Sequence, residues 1–464
     1  MKLKSNTRRD FLRTAVYGFG GLALASTTEK FGIVNALAQS AQGATDYRAL
    51  VCIFLSGGND SDNMIVPLDE EFAVYDKVRG ASGLGLAKDS LLPITPARGR
   101  RFGLNPNLPE LQALFSTGKL AVLCNAGSLV EPLTRTTYQN GRAEKPLQLF
   151  SHVDQINLWQ TSTASSATRI GWGGKASDQV AALNGASTFP QAISIAGSSL
   201  FLAGNVTRQF AISESNAPLA NLLPFSLSGT AGEVRVRRTA FDEIRLLSQE
   251  DKLAAAAATI RTSAIQTRDT LASVTPKVAT AFPNTPIGRQ LLQVARLISL
   301  RDTFGMKRQI FFCQLGGFDT HSRQRGPNSQ DGLLLQLSQA LKAFYDATVE
   351  LGVGSKVTSF TLSEFGRTFQ PAGSGSGVGT DHGWGGHQLI LGDGVRGGDF
   401  YGRYPVLAPG GPDDADDRGR WIPTTSVEQY AATLATWYGV PSSAIGSVFP
   451  SLERFPTANL GFMQ

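Results

Sequence analysis

Cysteine is scarce in this chain of 464 residues, which contains only three. Cys52, Cys124 and Cys313 each stand inside a short apolar run, and they are far apart in the sequence. An odd number of cysteines without close spacing argues against a disulfide framework or a zinc ribbon. We therefore expect all three to be small, buried hydrophobic residues.

Strong charge of one sign and long apolar runs are also missing beyond the N-terminus. The formal net charge is +6, but six basic and two acidic residues fall within the first 38, which leaves the rest at about +2. This weak charge excludes the basic surface that nucleic-acid binding requires. No later stretch is long and apolar enough to cross a bilayer, so we expect no transmembrane segment in the mature chain.

The first 38 residues have the three parts of a secretory signal. Thr-Arg-Arg-Asp-Phe-Leu-Arg at 7–13 is basic, residues 14–28 are uncharged, and Ala-Leu-Ala at 36–38 offers a cleavage site before Gln39. The paired arginines indicate the twin-arginine route, which makes that export machinery a partner and predicts a periplasmic or extracellular protein. The alternative is an amphipathic N-terminal helix, which the glycine content of this stretch disfavours.

Four segments share one pattern, a short apolar run followed by glycine and polar residues. They begin at residues 49, 120, 309 and 357. Such continuous apolar runs predict buried parallel strands. Helical patterns over 107–115, 287–300 and 331–351 alternate with them, which predicts a doubly wound, mostly parallel α/β sheet with helices on both faces. Ligands of such sheets bind beyond the carboxyl ends of the strands.

The middle of the chain lacks this alternation. We expect residues 39–464 to form a single domain that carries an insertion or cap at about 164–286. Within it, residues 241–274 are rich in alanine and charge and are predicted to be helical.

Histidine is nearly as scarce as cysteine, with four in the chain. Gly-Gly-Phe-Asp-Thr-His ends at His321, and Thr-Asp-His-Gly-Trp-Gly-Gly-His spans 380–387. Imidazole and carboxylate groups in such glycine-flanked loops suit a divalent metal, because the ligands supply lone pairs and charge while glycine lets the backbone bend. A single histidine there would be only a hydrogen-bonded loop residue. Several histidines beside carboxylates predict a metal centre, and its candidate ligands are Asp319, His321, Asp381, His382 and His387.

Asp60 and Ser151 are each open to two interpretations. Asp60 follows a predicted strand in Gly-Gly-Asn-Asp, where aspartate either binds a metal or caps a turn. Ser151 precedes a helical pattern over 153–160, and the positive potential of a helix start suits a nucleophile that attacks phosphate or sulfate. The same position equally suits a capping serine, which the local pattern alone favours.

The order of these motifs resembles that of the alkaline phosphatase/sulfatase superfamily. Those enzymes have, in the same order, counterparts of the strand-end Asp60, the helix-start Ser151, Asp319 with His321, Asp381 with His382, and His387 before a strand. More narrowly, the chain is similar to an uncharacterised family of exported bacterial proteins. Its hallmarks are Gly-Gly-Asn-Asp, Gly-Gly-Phe-Asp-Thr-His, Ser-Glu-Phe-Gly-Arg-Thr and Gly-Thr-Asp-His-Gly-Trp-Gly-Gly-His.

The superfamily resemblance implies an exported metal-dependent hydrolase of phosphate or sulfate esters, acting on a small-molecule or polymeric substrate. It implies two divalent ions, of zinc, manganese or calcium. The two ligand sets would be Asp319, His321 and His387, and Asp60, Asp381 and His382. Ser151 would be the nucleophile, with Arg367 or Arg169 as an oxyanion clamp. Glu364 and His152 are additional candidates, and Glu364 stands where those enzymes have an Asp-His pair.

Departures from the superfamily pattern leave a second hypothesis open. Asp319 and His321 are two residues apart, whereas the corresponding Asp and His of those enzymes are usually four residues apart. The sequence also contains no Cys-x-Pro-x-Arg, the context of the sulfatase nucleophile. The chain could therefore be a non-catalytic envelope protein that keeps the fold and one metal.

Overall fold

The computed structural model describes residues 46–164, 168–212 and 273–464, together with scattered positions between 214 and 271. The predicted signal at 1–38 and most of the predicted helix at 241–274 lie outside these described residues.

A large sheet forms the centre of the described chain. The strands are, in chain order, β1 (Arg48–Ser56), β2 (Ile65–Pro67), β3 (Leu92–Ile94), β4 (Phe102–Leu104), β5 (Leu120–Gly127), β6 (Ala192–Ser194), β7 (Gln209–Ala211), β8 (Arg308–Gly316), β9 (Val357–Leu362), β10 (Gly386–Leu391), β11 (Phe400–Gly402) and β12 (Thr425–Ser426). Nine strands form one sheet in the order β11-β5-β10-β9-β1-β8-β6-β7, with β12 beside β5. Strands β2, β4 and β3 form a small separate sheet.

The central strands are parallel because helices connect them. Strand β1 pairs in parallel with β8 on one side and β9 on the other. Strand β10 runs antiparallel to both of its neighbours, β5 and β9. The mostly parallel sheet predicted from the apolar runs is therefore confirmed, with one reversed strand.

Helices cover both faces of the sheet. The α-helices of the described residues are α1 (Glu71–Tyr75), α2 (Pro109–Ser116), α3 (Arg135–Gln139), α4 (His152–Thr161), α5 (Trp172–Val180), α6 (Pro286–Ser299), α7 (Gln330–Glu350), α8 (Val427–Tyr438) and α9 (Ser442–Val448). Apolar residues of α2, α6 and α7 pack on one face of the sheet. Those of α5, α8 and α9 pack on the other, as the doubly wound prediction requires.

The first part of the predicted insertion differs from the expectation. Residues 172–211 contribute helix α5 and strands β6 and β7, which extend the main sheet next to β8. Sequence patterning missed these strands because each is only three residues long, too short for an apolar run to stand out.

The three cysteines are free and buried, as predicted. They lie within β1, β5 and β8. Among the described residues, no helix combines the length and the apolar character that crossing a membrane requires.

Candidate functional site

Segments that follow or precede four strands meet at one edge of the sheet. Strands β1, β8 and β9 end there, and residues 57–60, 317–321 and 363–367 follow them. Because β10 runs in the opposite direction, the segment before it, 379–385, reaches the same edge. The reversal of one strand thus brings Asp381 and His382 to the carboxyl ends of the others.

Two glycines let these segments approach closely. Gly57 has φ +119°, and a Cβ atom on it would lie 2.2 Å from the backbone nitrogen of Asp319. A Cβ atom on Gly379 would lie 2.3 Å from the carbonyl carbon of His321. Glycine is needed at 57 for both conformation and space, and at 379 for space alone.

Three histidines surround the carboxylate of Asp319. Its Oδ1 lies 3.1 Å from Nε2 of His321 and 3.4 Å from Nε2 of His382. Its Oδ2 lies 3.4 Å from Nε2 of His152, the first residue of α4. The ligand atoms of His152, Asp319 and His382 all lie within 4.8 Å of one another. We call His152, Asp319, His321 and His382 the histidine centre.

Each of these rings is held by an acceptor at its Nδ1 atom. Nδ1 of His152 lies 2.9 Å from Glu364 Oε1, which also accepts the Gly57 N–H at 2.8 Å. Nδ1 of His382 lies 2.7 Å from the carbonyl oxygen of Phe150. Nδ1 of His321 lies 3.2 Å from Asp381 Oδ1. We assign the proton of each ring to Nδ1, which leaves the three Nε2 lone pairs pointing at Asp319.

Lone pairs at such distances repel one another unless a proton or a metal ion lies between them. Nε2 of His321 and Nε2 of His382 are 2.9 Å apart. Nε2 of His152 is buried and has no hydrogen-bond partner among the described residues. Nitrogen and oxygen ligands of one zinc ion, at about 2.0–2.1 Å from it, lie roughly 3 Å apart. The histidine centre therefore fits a single divalent ion of the kind that imidazole binds.

Buried and exposed arginines set the charge of the carboxylates. Arg367 is buried and donates to Asp319 Oδ1 at 2.9 Å and to the Gly57 carbonyl at 3.1 Å. Burial opposes the charge on Asp319, but Arg367 holds the pKa of that carboxyl below its usual value. Burial likewise opposes ionisation of Asp381, and its ion pair with Arg418 holds its pKa low. Both carboxylates are thus anionic. Asp319 faces the three Nε2 atoms, whereas both oxygens of Asp381, predicted as a metal ligand, are engaged by His321 Nδ1 and Arg418.

Two of the rings have shifted pKa values. The hydrogen bond to Glu364 raises the pKa of His152, against the opposing effect of burial. Burial lowers the pKa of His382, and the nearby Arg367 adds to this shift. His382 therefore stays neutral and able to bind a metal over a wider pH range than His152 does.

The structure does not bring Asp60, predicted as a metal ligand, to the histidine centre with a free carboxylate. Asp60 is wholly buried, and its Oδ2 accepts from Arg79 at 2.7 Å and from Gln324 at 2.5 Å. Arg79 comes from a π-helical turn over Asp76–Gly80 and is itself fully buried. Its guanidinium supplies the positive charge beside Asp60 that the sequence interpretation assigned to an ion.

His387, the other predicted ligand, lies apart from the histidine centre. His387 lies where the pairing of β10 with β5 shifts, between Gly386 and Gln388, and its side chain is buried. Its Nδ1 accepts the Asn125 N–H at 3.1 Å, and the ring lies 4.7 Å from that of Tyr404. Burial lowers the pKa of His387 to about 3. The two ligand sets expected from the sequence are therefore not formed.

The remaining candidates have different surroundings. Ser151 is the N-cap residue of α4 but makes no capping hydrogen bond; its hydroxyl donates to Asp154 Oδ2 at 2.6 Å. Arg367 is buried and directs four of its five N–H groups at Asp319, Gly57 and Thr380. Arg169 is exposed on the segment between α4 and α5.

Several functional groups are not recognisable from sequence motifs. The carbonyl of Phe150 is one, and Phe150 has φ +73°, which is unusual for a residue other than glycine. Arg418 and Arg420 are others, since they stand in a loop with no recognisable motif. His152 and Glu364 were only secondary candidates, although the position of Glu364 directly after a strand is a usable signal.

Comparison with solved structures gives matches of low identity and low TM-score. Similar solved structures include the PsFucS1 sulfatase from Pseudoalteromonas sp., at 10% identity and TM-score 0.33 over 90% of this chain and 72% of that chain. Ps i-CgsB in complex with k-i-k-neocarrahexaose has 8% identity and TM-score 0.35, over 89% of this chain and 77% of that chain. A variant of the alkaline phosphatase PafA has 10% identity and TM-score 0.27, over 70% of this chain and 64% of that chain. At such TM-scores the likeness assigns no activity.

A family match is more direct. No curated protein matches the sequence. Residues 47–415 match the family described as a protein of unknown function (DUF1501). This match covers most of the chain and confirms the narrower of the two resemblances that the motifs indicated. The chain belongs to the DUF1501 family.

Proposed function

We propose that this protein is an exported hydrolase of phosphate or sulfate esters that uses one divalent metal ion at the histidine centre. The observation that carries the proposal is the convergence of three Nε2 atoms on the Asp319 carboxylate, within 3.4 Å. Groups of this kind at the carboxyl edge of an α/β sheet favour catalysis over a structural role.

The ligand chemistry favours zinc and a single ion. Calcium prefers six to eight oxygen ligands, whereas imidazole nitrogens dominate the histidine centre. A second ion would need Asp60, whose Oδ2 is engaged by Arg79 and Gln324. A bound divalent ion would supply Lewis-acid polarisation of the ester group.

Positioning residues hold the proposed ligands. Glu364 orients the ring of His152, and Arg367 orients the carboxylate of Asp319. Such neighbours of metal ligands fix the tautomer and the direction of each ligand.

Ser151 is the proposed nucleophile, and Asp154 its base. The hydroxyl proton already lies in a hydrogen bond to Asp154 Oδ2 at 2.6 Å. In the proposed step, Ser151 Oγ forms a bond to phosphorus or sulfur while the bond to the ester oxygen breaks. The proton passes to Asp154 and on through water to the departing oxygen, so the alcohol leaves with the electron pair of the broken bond and that proton. A second water, which gives a proton to Asp154, then attacks phosphorus or sulfur. The bond to Ser151 Oγ breaks with its electron pair on oxygen, and Asp154 returns the proton to Ser151.

The test is metal analysis of the purified chain from Gln39, followed by a screen of aryl phosphate and aryl sulfate esters. We expect about one zinc per chain and turnover of one ester class. His382→Ala and His152→Ala should each lose zinc. His387→Gln is the matched control, because His387 lies outside the histidine centre, and it should keep zinc. Loss of zinc in His387→Gln alone would overturn this ligand set.

A second candidate is the non-catalytic envelope protein. It is favoured by one observation, that the Ser151 hydroxyl contacts Asp154 rather than any ring of the histidine centre. Bound zinc without turnover of any ester would support this candidate over the hydrolase.

Export through the twin-arginine route and a periplasmic or extracellular location belong to the same proposal. They are supported by the sequence of residues 1–38, with its arginine pair at 8 and 9 and its Ala-Leu-Ala site.

A further inference from the structure

Arg418 lies beside the histidine centre with part of its guanidinium unused. One amino group, Nη2, pairs with Asp381 Oδ2, and the other oxygen of Asp381 lies 3.2 Å from His321 Nδ1. The side chain of Arg418 is 39% exposed. Its Nε and second amino group make no hydrogen bond within the part of the chain that the structure describes.

The loop that carries Arg418 is held rigidly by one buried carboxylate. Asp414 is wholly buried and accepts four backbone N–H groups. Its Oδ2 accepts from Gly410 and Gly419 at 2.8 Å each. Its Oδ1 accepts from Asp416 at 3.2 Å and Arg420 at 3.0 Å. The backbone at Arg418 is therefore fixed before any ligand binds, and the ion pair with Asp381 orients the side chain, which lowers the entropy cost of binding a ligand.

Neighbouring contacts fix the same loop against the centre. The carbonyl of Arg418 accepts the Gln370 N–H at 3.1 Å. Arg420 donates from Nε to the carbonyl of His382 at 2.7 Å, and its guanidinium lies 4.4 Å from the ring centre of Phe150. Arg420 thus supports a residue of the centre directly, whereas Arg418 presents free donors at its exposed side.

We propose that Arg418 is the residue that binds the anionic group of the ester, a tetrahedral phosphate or sulfate, at the histidine centre. This inference rests on the proposed function. A guanidinium offers parallel N–H donors that match two oxygens of such a group. Asp381 holds one amino group and so orients the others, which takes over the role that the sequence assigned to Arg367 or Arg169. Arg418 lies beyond residue 415, where the family match ends.

A purely structural role for this ion pair is the competing explanation. The pair is partly exposed, with Asp381 at 32%, and ion pairs of that kind contribute little to stability. Loss of Arg418 should therefore leave the melting temperature and zinc content nearly unchanged while anion binding falls.

The experiment uses calorimetric titration of the zinc-loaded chain with inorganic phosphate and, separately, with sulfate. The variants are Arg418→Gln and Arg418→Lys. The matched control is Arg98→Gln, since Arg98 is also an exposed arginine paired with a carboxylate, that of Asp399 at 3.0 Å. That pair lies at the amino end of β11, on the opposite edge of the sheet.

We expect Arg418→Gln to bind the preferred anion about tenfold or more weakly than the parent does, the loss expected for a charged hydrogen bond. Arg418→Lys should be intermediate, and Arg98→Gln should equal the parent. Equal anion binding by the parent and both Arg418 variants would overturn the role of Arg418 and leave the proposed function standing. Zinc-loaded parent that binds neither anion and hydrolyses no ester would overturn the proposed function, and this inference with it.

Discussion

Replacing Glu364 with glutamine tests how the histidine centre holds its ion. Glu364 is 1% exposed and accepts from both Gly57 and His152 through Oε1, at 2.8 and 2.9 Å. Its Oε2 has no hydrogen-bond partner among the described residues. An amide oxygen in place of Oε1 can accept the same two bonds, so the ring of His152 should keep its orientation while the negative charge behind it is lost.

The loss of this charge should weaken the zinc affinity. Removing such a partner of a metal-binding histidine typically costs about 10–100-fold in affinity, or about 1.4–2.8 kcal/mol. Competition titration against a chromogenic chelator at pH 8 measures this change. Glu144→Gln, which alters an exposed carboxylate paired with Arg454 at 3.0 Å, is the matched control and should leave the affinity unchanged.

The pH dependence gives a second, independent readout. The hydrogen bond to Glu364 raises the pKa of His152, and protonated imidazole cannot bind zinc. The parent should therefore lose affinity as the pH falls through this raised pKa, whereas Glu364→Gln should lose it only at lower pH. The difference in zinc affinity between the two proteins should therefore become smaller from pH 8 to pH 6. An unchanged zinc affinity at pH 8 would refute the reasoning.

The remaining predictions concern three separate regions. Ser151→Ala should abolish ester turnover with zinc content retained; if activity persists and stability falls by about 1 kcal/mol, Ser151 acts only at the helix start. Glu428 is buried, and burial raises its pKa to about 7 against the opposing effects of Ser451, Lys175 and Arg454. Because the folded chain retains a proton that the unfolded chain releases near pH 4.5, stability should fall as the pH rises from about 4.5 to 7. At pH 8 the free energy of unfolding of Glu428→Gln should exceed that of the parent by up to about 3 kcal/mol, and at pH 4 the two values should be equal. A difference independent of pH would contradict this. Replacing Arg8 and Arg9 with lysine should leave the precursor in the cytoplasm, as fractionation would reveal; normal export would exclude the twin-arginine route.

The sequence predicted the sheet well where apolar runs are long. The runs that begin at 49, 309 and 357 became β1, β8 and β9, whose ends carry the motifs. Strands β6 and β7 were missed because three residues give no periodicity. The helix predicted over 331–351 lies at Gln330–Glu350, since a long amphipathic pattern fixes a helix to within a residue or two.

The site was predictable only in part, because motifs reveal residue types but not contacts. Asp319, His321, Asp381 and His382 do converge, as the spacing indicated. The partner of Asp60 could not be foreseen, because Arg79 is distant from any motif and its burial depends on the packing of a π-helical turn. His387 lies apart from the others because its buried ring accepts the Asn125 N–H and packs beside Tyr404, contacts that have no sequence signal.

The histidine centre draws on three segments that are distant in the chain, around residues 152, 319–321 and 382. An unfolded chain holds these groups too far apart to share an ion, so zinc would bind the folded state alone. At a free concentration 100 times the dissociation constant, an ion would then add about 2.7 kcal/mol to the free energy of unfolding. Chelation should consequently lower the melting temperature, which makes thermal stability a sensor of metal loading. If the proposed twin-arginine export carries the chain across the membrane already folded, the ion would be acquired in the cytoplasm, from the zinc pool of the producing cell rather than that of its surroundings.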